Sequence, residues 1–320
     1  MSRRKRRRGY STLRVTSRNR KGGGDPGKIM GKLLRYITSD GTVSIIGVDT
    51  TDMVAKAEQI HRTSAVTTAA LGRLLTAASM IGVTLKGEKD SVTLRMNGGG
   101  PSGTVLAVSD SFGNARGYVS NPIVEIPLNS VGKLDVSGAI GKDGSLIVMK
   151  DIGMKDPYVG NVPIISGEIA EDITYYYAVS EQIPTVCALG VLVNPNLTVK
   201  AAGGFIIQLL PFAPEEAITK LEESVGKLKP VTTMLSEGMS IEQICALAMD
   251  GFEIELLDEY EVEYRCDCNR ERVERALRTV GKEELTDILE KDGKAELNCH
   301  FCDKKYRFDA DDLRRMIKEI

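Results

Sequence analysis

The stretch SVTLRMNGGGPSGTVLAVSD, Ser91–Asp110, decides the fold class. Gly98, Gly100 and Gly103 satisfy the G-x-G-x-x-G spacing of a dinucleotide-binding turn. That site also needs a helix opening behind the glycines, so that its N-terminus faces the pyrophosphate. Here Pro101 and the run Thr104-Val105-Leu106-Ala107-Val108 continue as a second strand instead. The glycines turn a hairpin, and no doubly wound sheet starts here. Just upstream, Gly82 and Gly87 have phosphate-loop spacing, but Glu88 stands where the lysine belongs and repels phosphate. The predicted class is α+β.

Working outward, segments 33–38 and 43–48 read as strands across an Asp40-Gly41 turn. Val54, Ala57, Ile60, Ser64, Thr67, Leu71, Leu74, Ala78 and Ile81 then recur at three- and four-residue steps, the spacing of helix, with a break near Arg62–Ser64. Strands are predicted at 91–96, 104–109, 115–119, 131–136 and 145–150, helix within 168–182, and strands at 186–193 and 203–210. Together these form a large mixed strand/helix core, residues 30–212.

Residues 213–262 are predicted as an acidic helical linker, with helices at Ala213–Leu228 and Ser240–Met249 separated by Pro230. Its apolar face, including Ile241, Ile244, Leu247 and Ala248, needs a partner surface, and the terminal unit is the expected one. That unit, residues 263–320, is predicted to hold a strand through Val262 and Tyr264, two helices, a strand pair and a last helix bearing Leu313, Met316 and Ile317.

Composition narrows the function classes. Apolar residues make up 42% and Trp is absent, so the core must be built from aliphatic side chains. No run approaches 18 consecutive apolar residues, and no membrane partner is expected. The net charge of −2 hides a segregation: residues 1–29 carry eleven Lys/Arg and one acid, Asp25, which leaves −12 for the remainder. This basic stretch is predicted to be a disordered extension ahead of a start at Met30. Only two histidines exist, His61 and His300, and no G-x-S-x-G occurs, so an enzyme is not expected.

The sharp signal is cysteine spacing. Cys266-Asp-Cys268 is followed after thirty residues by Cys299-His-Phe-Cys302. Two close pairs let each turn offer two sulfurs to one ion, and four thiolates suit tetrahedral Zn²⁺. Two other readings stay open at this point: four unrelated buried thiols, or His300 replacing one sulfur. Thiolates held at a metal are also the form that oxidants attack, which makes the cluster a candidate redox switch. Cys187 and Cys245 stand apart and read as buried thiols.

Several longer stretches carry a resemblance: NGGGPSG at Asn97–Gly103, GYVSNP at Gly117–Pro122, GMKDPYVGNVP at Gly153–Pro163, SGEIAEDITYYYAVSEQIPT at Ser166–Thr185 and GGFIIQLLP at Gly203–Pro211. With the closing C-x-C and C-x-x-C, they resemble the redox-regulated heat-shock chaperone family, the thirty-three-kilodalton chaperonins, from about Met30 to the C-terminus. The resemblance implies a cytoplasmic, ATP-independent holdase that binds unfolding client proteins and is a homodimer when active. It implies one Zn²⁺ per reduced chain at Cys266, Cys268, Cys299 and Cys302, and disulfides Cys266–Cys268 and Cys299–Cys302 after oxidation with zinc release. Two rivals remain. A zinc-ribbon nucleic-acid module is disfavoured by the balanced charge of residues 263–320, fourteen basic against fifteen acidic, and no nucleic-acid partner is expected. A thiol–disulfide oxidoreductase would place its C-x-x-C alone at a helix N-terminus.

Overall fold

The computed structural model describes residues 30–320; the predicted basic extension, residues 1–29, lies outside them. Strands β1 (Gly31–Thr38) and β2 (Val43–Asp49) form a hairpin and lead into helices α1 (Thr51–His61) and α2 (Ala65–Gly82). The predicted break falls at Arg62, where a left-handed residue closes α1. Strands β3 (Ser91–Gly99), β4 (Val105–Asp110) and β5 (Ala115–Val119) follow, confirming the hairpin reading of the glycine-rich turn. Next come a short helix α3 (Val136–Ile140), β6 (Gly141–Asp151), β7 (Tyr158–Pro163), α4 (Ala170–Tyr176) with a π-helical turn, β8 (Thr185–Val193) and β9 (Val199–Leu209).

The chain then forms α5 (Glu215–Val225), α6 (Val231–Ser236), α7 (Ile241–Ala248) and β10 (Ile254–Val262). The terminal unit contains α8 (Arg270–Arg278), α9 (Lys282–Lys291), β11 (Ala295–Asn298), β12 (Lys305–Phe308) and α10 (Ala310–Glu319).

Two five-stranded sheets, ordered β10-β1-β2-β9-β8 and β5-β4-β3-β6-β7, make the body of this α+β fold. Helix α2 is buried with both of them in one apolar cluster, and Leu71, Leu74, Ala77, Ala78 and Ile81 are almost wholly shielded. Among the described residues α2 is the one helix long and apolar enough to cross a membrane, but 89% of it is buried inside the protein. Its small residues let strands approach closely, as the three- and four-residue spacing requires.

Three expectations need correction. Residues 131–136 are not a strand. The Asn129 carboxamide accepts from the backbone of Val131 and Lys133 in a tight turn, and the Asp135 carboxylate accepts from Gly138 N at 2.8 Å, capping α3. These local side-chain bonds offer the backbone an alternative to a ladder.

The stretch 213–262 is not helical throughout. Its last part, β10, pairs antiparallel with β1 and becomes an edge of the first sheet. Apolar and acidic residues alternate along Ile254-Glu255-Leu256, and the outward carboxylates gave the segment the look of a solvated helix. Arg35 on β1 pairs with Asp258 at 2.9 Å across this ladder, and Lys32 pairs with Glu259 at 3.0 Å and with Glu242 of α7.

The linker helices do not use the terminal unit as their partner. Leu34, Tyr36, Val43, Ile45, Phe205 and Ile207 point out of the first sheet, away from α2. Helices α5–α7 lay Ala217, Leu221, Met234, Ile241, Ile244 and Cys245 against them as a second core. Ile241, Ile244 and Ala248 are therefore buried, and of the predicted apolar face only Leu247 is exposed.

Close seating depends on two glycines in the sheet. A Cβ on Gly47 would stand 2.3 Å from Cys245 Sγ, and one on Gly190 would stand 2.5 Å from Thr232 Cγ2. Gly47→Ala should consequently cost about 1–3 kcal/mol through overpacking. Adding Cys245→Ala removes the atom in the way, so the pair should cost less than the two single changes summed. Denaturant unfolding of the four proteins in this cycle measures that coupling, and strict additivity would show that the sulfur does not set the spacing.

Candidate metal centre

The four clustered cysteines come from two turns. Strand β10 delivers the first: after Val262 the chain continues through Tyr264, whose flanking backbone bonds β5, with Ala115 N donating to Glu263 O at 3.1 Å and Arg265 N to Ala115 O at 3.0 Å. Cys266 and Cys268 follow at once, and Asn269 then caps α8 by accepting from Arg272 N at 2.8 Å. The second turn joins β11 to β12 and carries Cys299 and Cys302. It is closed by Cys299 N donating to Lys304 O at 2.9 Å and Asp303 N donating to Cys299 O at 2.8 Å. Asp303 has φ +56, a left-handed conformation that a short polar residue tolerates.

All four Sγ atoms lie within 4.8 Å of one another. The Cys266–Cys299 and Cys268–Cys302 separations are 3.7 and 3.4 Å. Four sulfurs bound at ~2.3 Å around a tetrahedral ion stand about 3.8 Å apart, so the donor set fits a zinc-sized thiolate site. The short distances run between the two motifs, which is how two turns close on a shared point. This cluster could hold a metal ion.

The four sulfurs differ in their surroundings. Burial pushes the Cys266 thiol well above its usual range and that of Cys302 up to about 11. Burial acts the same way on Cys268, but the Tyr306 hydroxyl, donating to its sulfur at 3.1 Å, and the neighbouring thiols together hold it below the usual value. Four thiolates so close need a cation to coexist at neutral pH.

His300 sits between Cys299 and Cys302 in sequence, yet its ring lies 5.6 Å from that of Tyr118 and it is not one of the clustered donors. His61 is likewise not one of the clustered donors. Its Nε2 is 3.2 Å from the Tyr264 hydroxyl, and burial lowers its pKa. Cys187, on β8, and Cys245, on α7, stand outside the cluster, and burial drives both thiols up, Cys245 to about 12. No helix begins at the Cys299–Cys302 turn, so the geometry of a thioredoxin-type site is not formed. In the terminal unit arginines are engaged by its own acids: Arg270 with Asp312, Arg278 with Glu274 and Glu319, and Arg307 with Glu296 at 2.6 Å.

Residues 31–309 match the model of the Hsp33 protein family, nearly the whole described chain. The chain belongs to that family. A 33 kDa chaperonin of Clostridium botulinum (strain Eklund 17B / Type B) is 47% identical over 287 residues, covering 90% of this chain and 97% of the relative. One from Clostridioides difficile (strain 630) is 48% identical over 288 residues, covering 90% and 99%. Among solved structures, the 33 kDa chaperonin of Thermotoga maritima, a heat shock protein 33 homolog, is similar with a TM-score of 0.82 at 37% identity, covering 91% of this chain and 98% of that one.

Sequence spacing missed Tyr306, Tyr264 and the β5 side chains that touch the Hsp33-type cysteine motifs. Tyr264 and Tyr306 had a nearby signal, lying in the strands that precede Cys266 and follow Cys302. The metal reading is tested by replacing each clustered cysteine with Ser in turn. Each change should weaken binding of Zn²⁺ and destabilise residues 263–320, whereas Cys187→Ser and Cys245→Ser should leave metal stoichiometry at one. Metal analysis of the purified reduced variants checks this, and a His300→Ala variant that loses the ion while one cysteine proves dispensable would replace the ligand set.

Proposed function

We propose that the protein is a redox-regulated, ATP-independent holdase, cytoplasmic and homodimeric when active, that binds unfolding client proteins under oxidative stress. The observation that carries this reading is the four-sulfur cluster in a chain whose relatives are named chaperonins. In the reduced state Cys266, Cys268, Cys299 and Cys302 would hold one Zn²⁺. That ion, when bound, supplies a fixed centre about which the terminal unit folds.

The unit needs such a centre. Its own buried cluster amounts to Leu277, Leu285, Tyr306, Phe308, Leu313 and Met316 with a few partly covered neighbours. A core of that size stabilises a short unit only marginally. Metal binding contributes on the order of 10 kcal/mol to comparable folds.

Oxidation removes the centre. A peroxide would take two electrons from the Cys299 and Cys302 thiolates and, with two protons from solvent, leave as two waters, while an S–S bond closes across two intervening residues. Cys266 and Cys268 remain as a pair that cannot complete a four-donor site. Closing Cys266–Cys268 then requires a ring over a single residue, which the folded turn resists. It becomes accessible when the unit unfolds.

Unfolding propagates through β10. That strand runs directly from the linker helices to Cys266, and it is the edge of the first sheet. Once its C-terminal end loses the folded unit, the segment of lowest local stability opens first. Lifting α5–α7 uncovers both halves of the second core, Leu34, Tyr36, Ile45 and Phe205 on the sheet and Ile241 and Ile244 on the helix. A contiguous apolar surface of this kind is where an unfolding client is held, and the acidic excess of the chain keeps the complex soluble.

The order of events is testable. Peroxide at low temperature should give mainly Cys299–Cys302 and weak holding of clients, and peroxide with heat should add Cys266–Cys268 and full holding. Mass mapping of disulfides, metal release and suppression of client aggregation are followed in the same time course. Cys266–Cys268 forming while Cys299 and Cys302 stay reduced would reverse the order, and full holding with the metal still bound would end the reading.

A further inference from the structure

The redox reading uses four cysteines and leaves the residues between them without a task. Asp267 lies between Cys266 and Cys268, and His300 and Phe301 lie between Cys299 and Cys302. All three are gripped by β5 of the core. Arg116 Nη1 is 3.0 Å from Asp267 Oδ1, while Arg272 of α8 donates to Asp267 Oδ2 at 2.7 Å. The same Arg116 guanidinium lies 5.2 Å from the centre of the Phe301 ring. Tyr118, two residues on, places its ring 5.6 Å from Phe301 at 66° and 5.6 Å from His300. Behind them the Tyr264 hydroxyl reaches the carbonyls of both Gly117 and Phe301.

We propose that Arg116 is the positioning residue of a latch by which the core holds the two cysteine turns in their closed arrangement. One guanidinium contacts both motifs, the first through a carboxylate and the second through an aromatic face. Any rearrangement that separates the turns must break one contact or the other. The ion pair alone is weak, because Asp267 is 55% exposed. Arg116 itself is only 16% exposed, however, and its stacking on Phe301 is partly desolvated, where cation–π attraction is stronger. The latch therefore sets how readily the terminal unit leaves the core without supplying a sulfur donor. Its consequence for activation rests on the redox reading above; its effect on docking does not.

Arg116→Met and Asp267→Asn, each in the full-length, reduced, zinc-loaded protein, test it. Metal stoichiometry should stay at one per chain in both. Hydrogen exchange in residues 263–320 should accelerate about tenfold in Arg116→Met, and less in Asp267→Asn, while exchange in α2 is unchanged. Under peroxide at low temperature, metal release should be correspondingly faster than in the unaltered protein. Unchanged exchange in the terminal unit would overturn the latch, as would loss of the ion from a reduced variant, since Arg116 would then belong to the metal site itself. Should Arg116→Met fail to fold, Asp267→Asn still reads the carboxylate half, because its side chain lies on an exposed turn. A failure of the unaltered protein to respond to peroxide would count against the redox reading alone.

Discussion

Four sulfur atoms packed within 4.8 Å of one another are the constraint on which the rest depends. Partly buried thiols resist ionising, and ionised ones repel, so four thiolates could share this space only with a cation among them. On the proposed reading, the fold of residues 263–320 would be conditional on chemistry at those few atoms. The larger body carries no such condition. Its sheets and α2 share an extensive aliphatic core that needs no staple. One chain thus joins a robust part to a conditional one.

Linker helices sit between these two parts energetically as well as in sequence. They cover the first sheet with apolar contacts, but glycines at Gly47 and Gly190 are needed for the helices to come close enough. Such seating is intolerant of small displacements, because dispersion contacts fall away over a fraction of an ångström. The acids on this segment face Lys32 and Arg35 at partly exposed positions, where ion pairs add little and weaken with salt. Hydrophobic fit holds the segment down, and the charges mainly set its register.

How much of this was legible in the sequence depends on how local each signal is. The cysteine cluster was readable because each turn writes two of its sulfurs within four residues, and the hairpin at Gly98–Gly103 because β-branched residues resume at Thr104. Strand β10 was misread because its outward carboxylates mimic the polar face of a helix, and only pairing with β1 shows which face is inside. The predicted strand at 131–136 failed because Asn129 and Asp135 make local bonds that outweigh the apolar character of Val131 and Leu134. Arg116 and Tyr118 left no trace near the cysteines, since their partners are about 150 to 180 residues away in the chain and meet them only in the fold.

The six cysteines divide by environment rather than by intrinsic chemistry. Cys245 is enclosed beneath α7 against Gly47 and Cys187, on β8, is half-buried against the main core, and burial raises both thiols, so each is a poor nucleophile toward an oxidant. The clustered four are only partly buried, and a bound cation would hold them as thiolates within reach of solvent. On the proposed mechanism, oxidant would meet reactive sulfur where its loss dismantles the terminal unit. In that mechanism Cys245 would become reachable only after α7 had lifted from the sheet. Selectivity among chemically identical side chains is set by which of them the fold leaves at its edge.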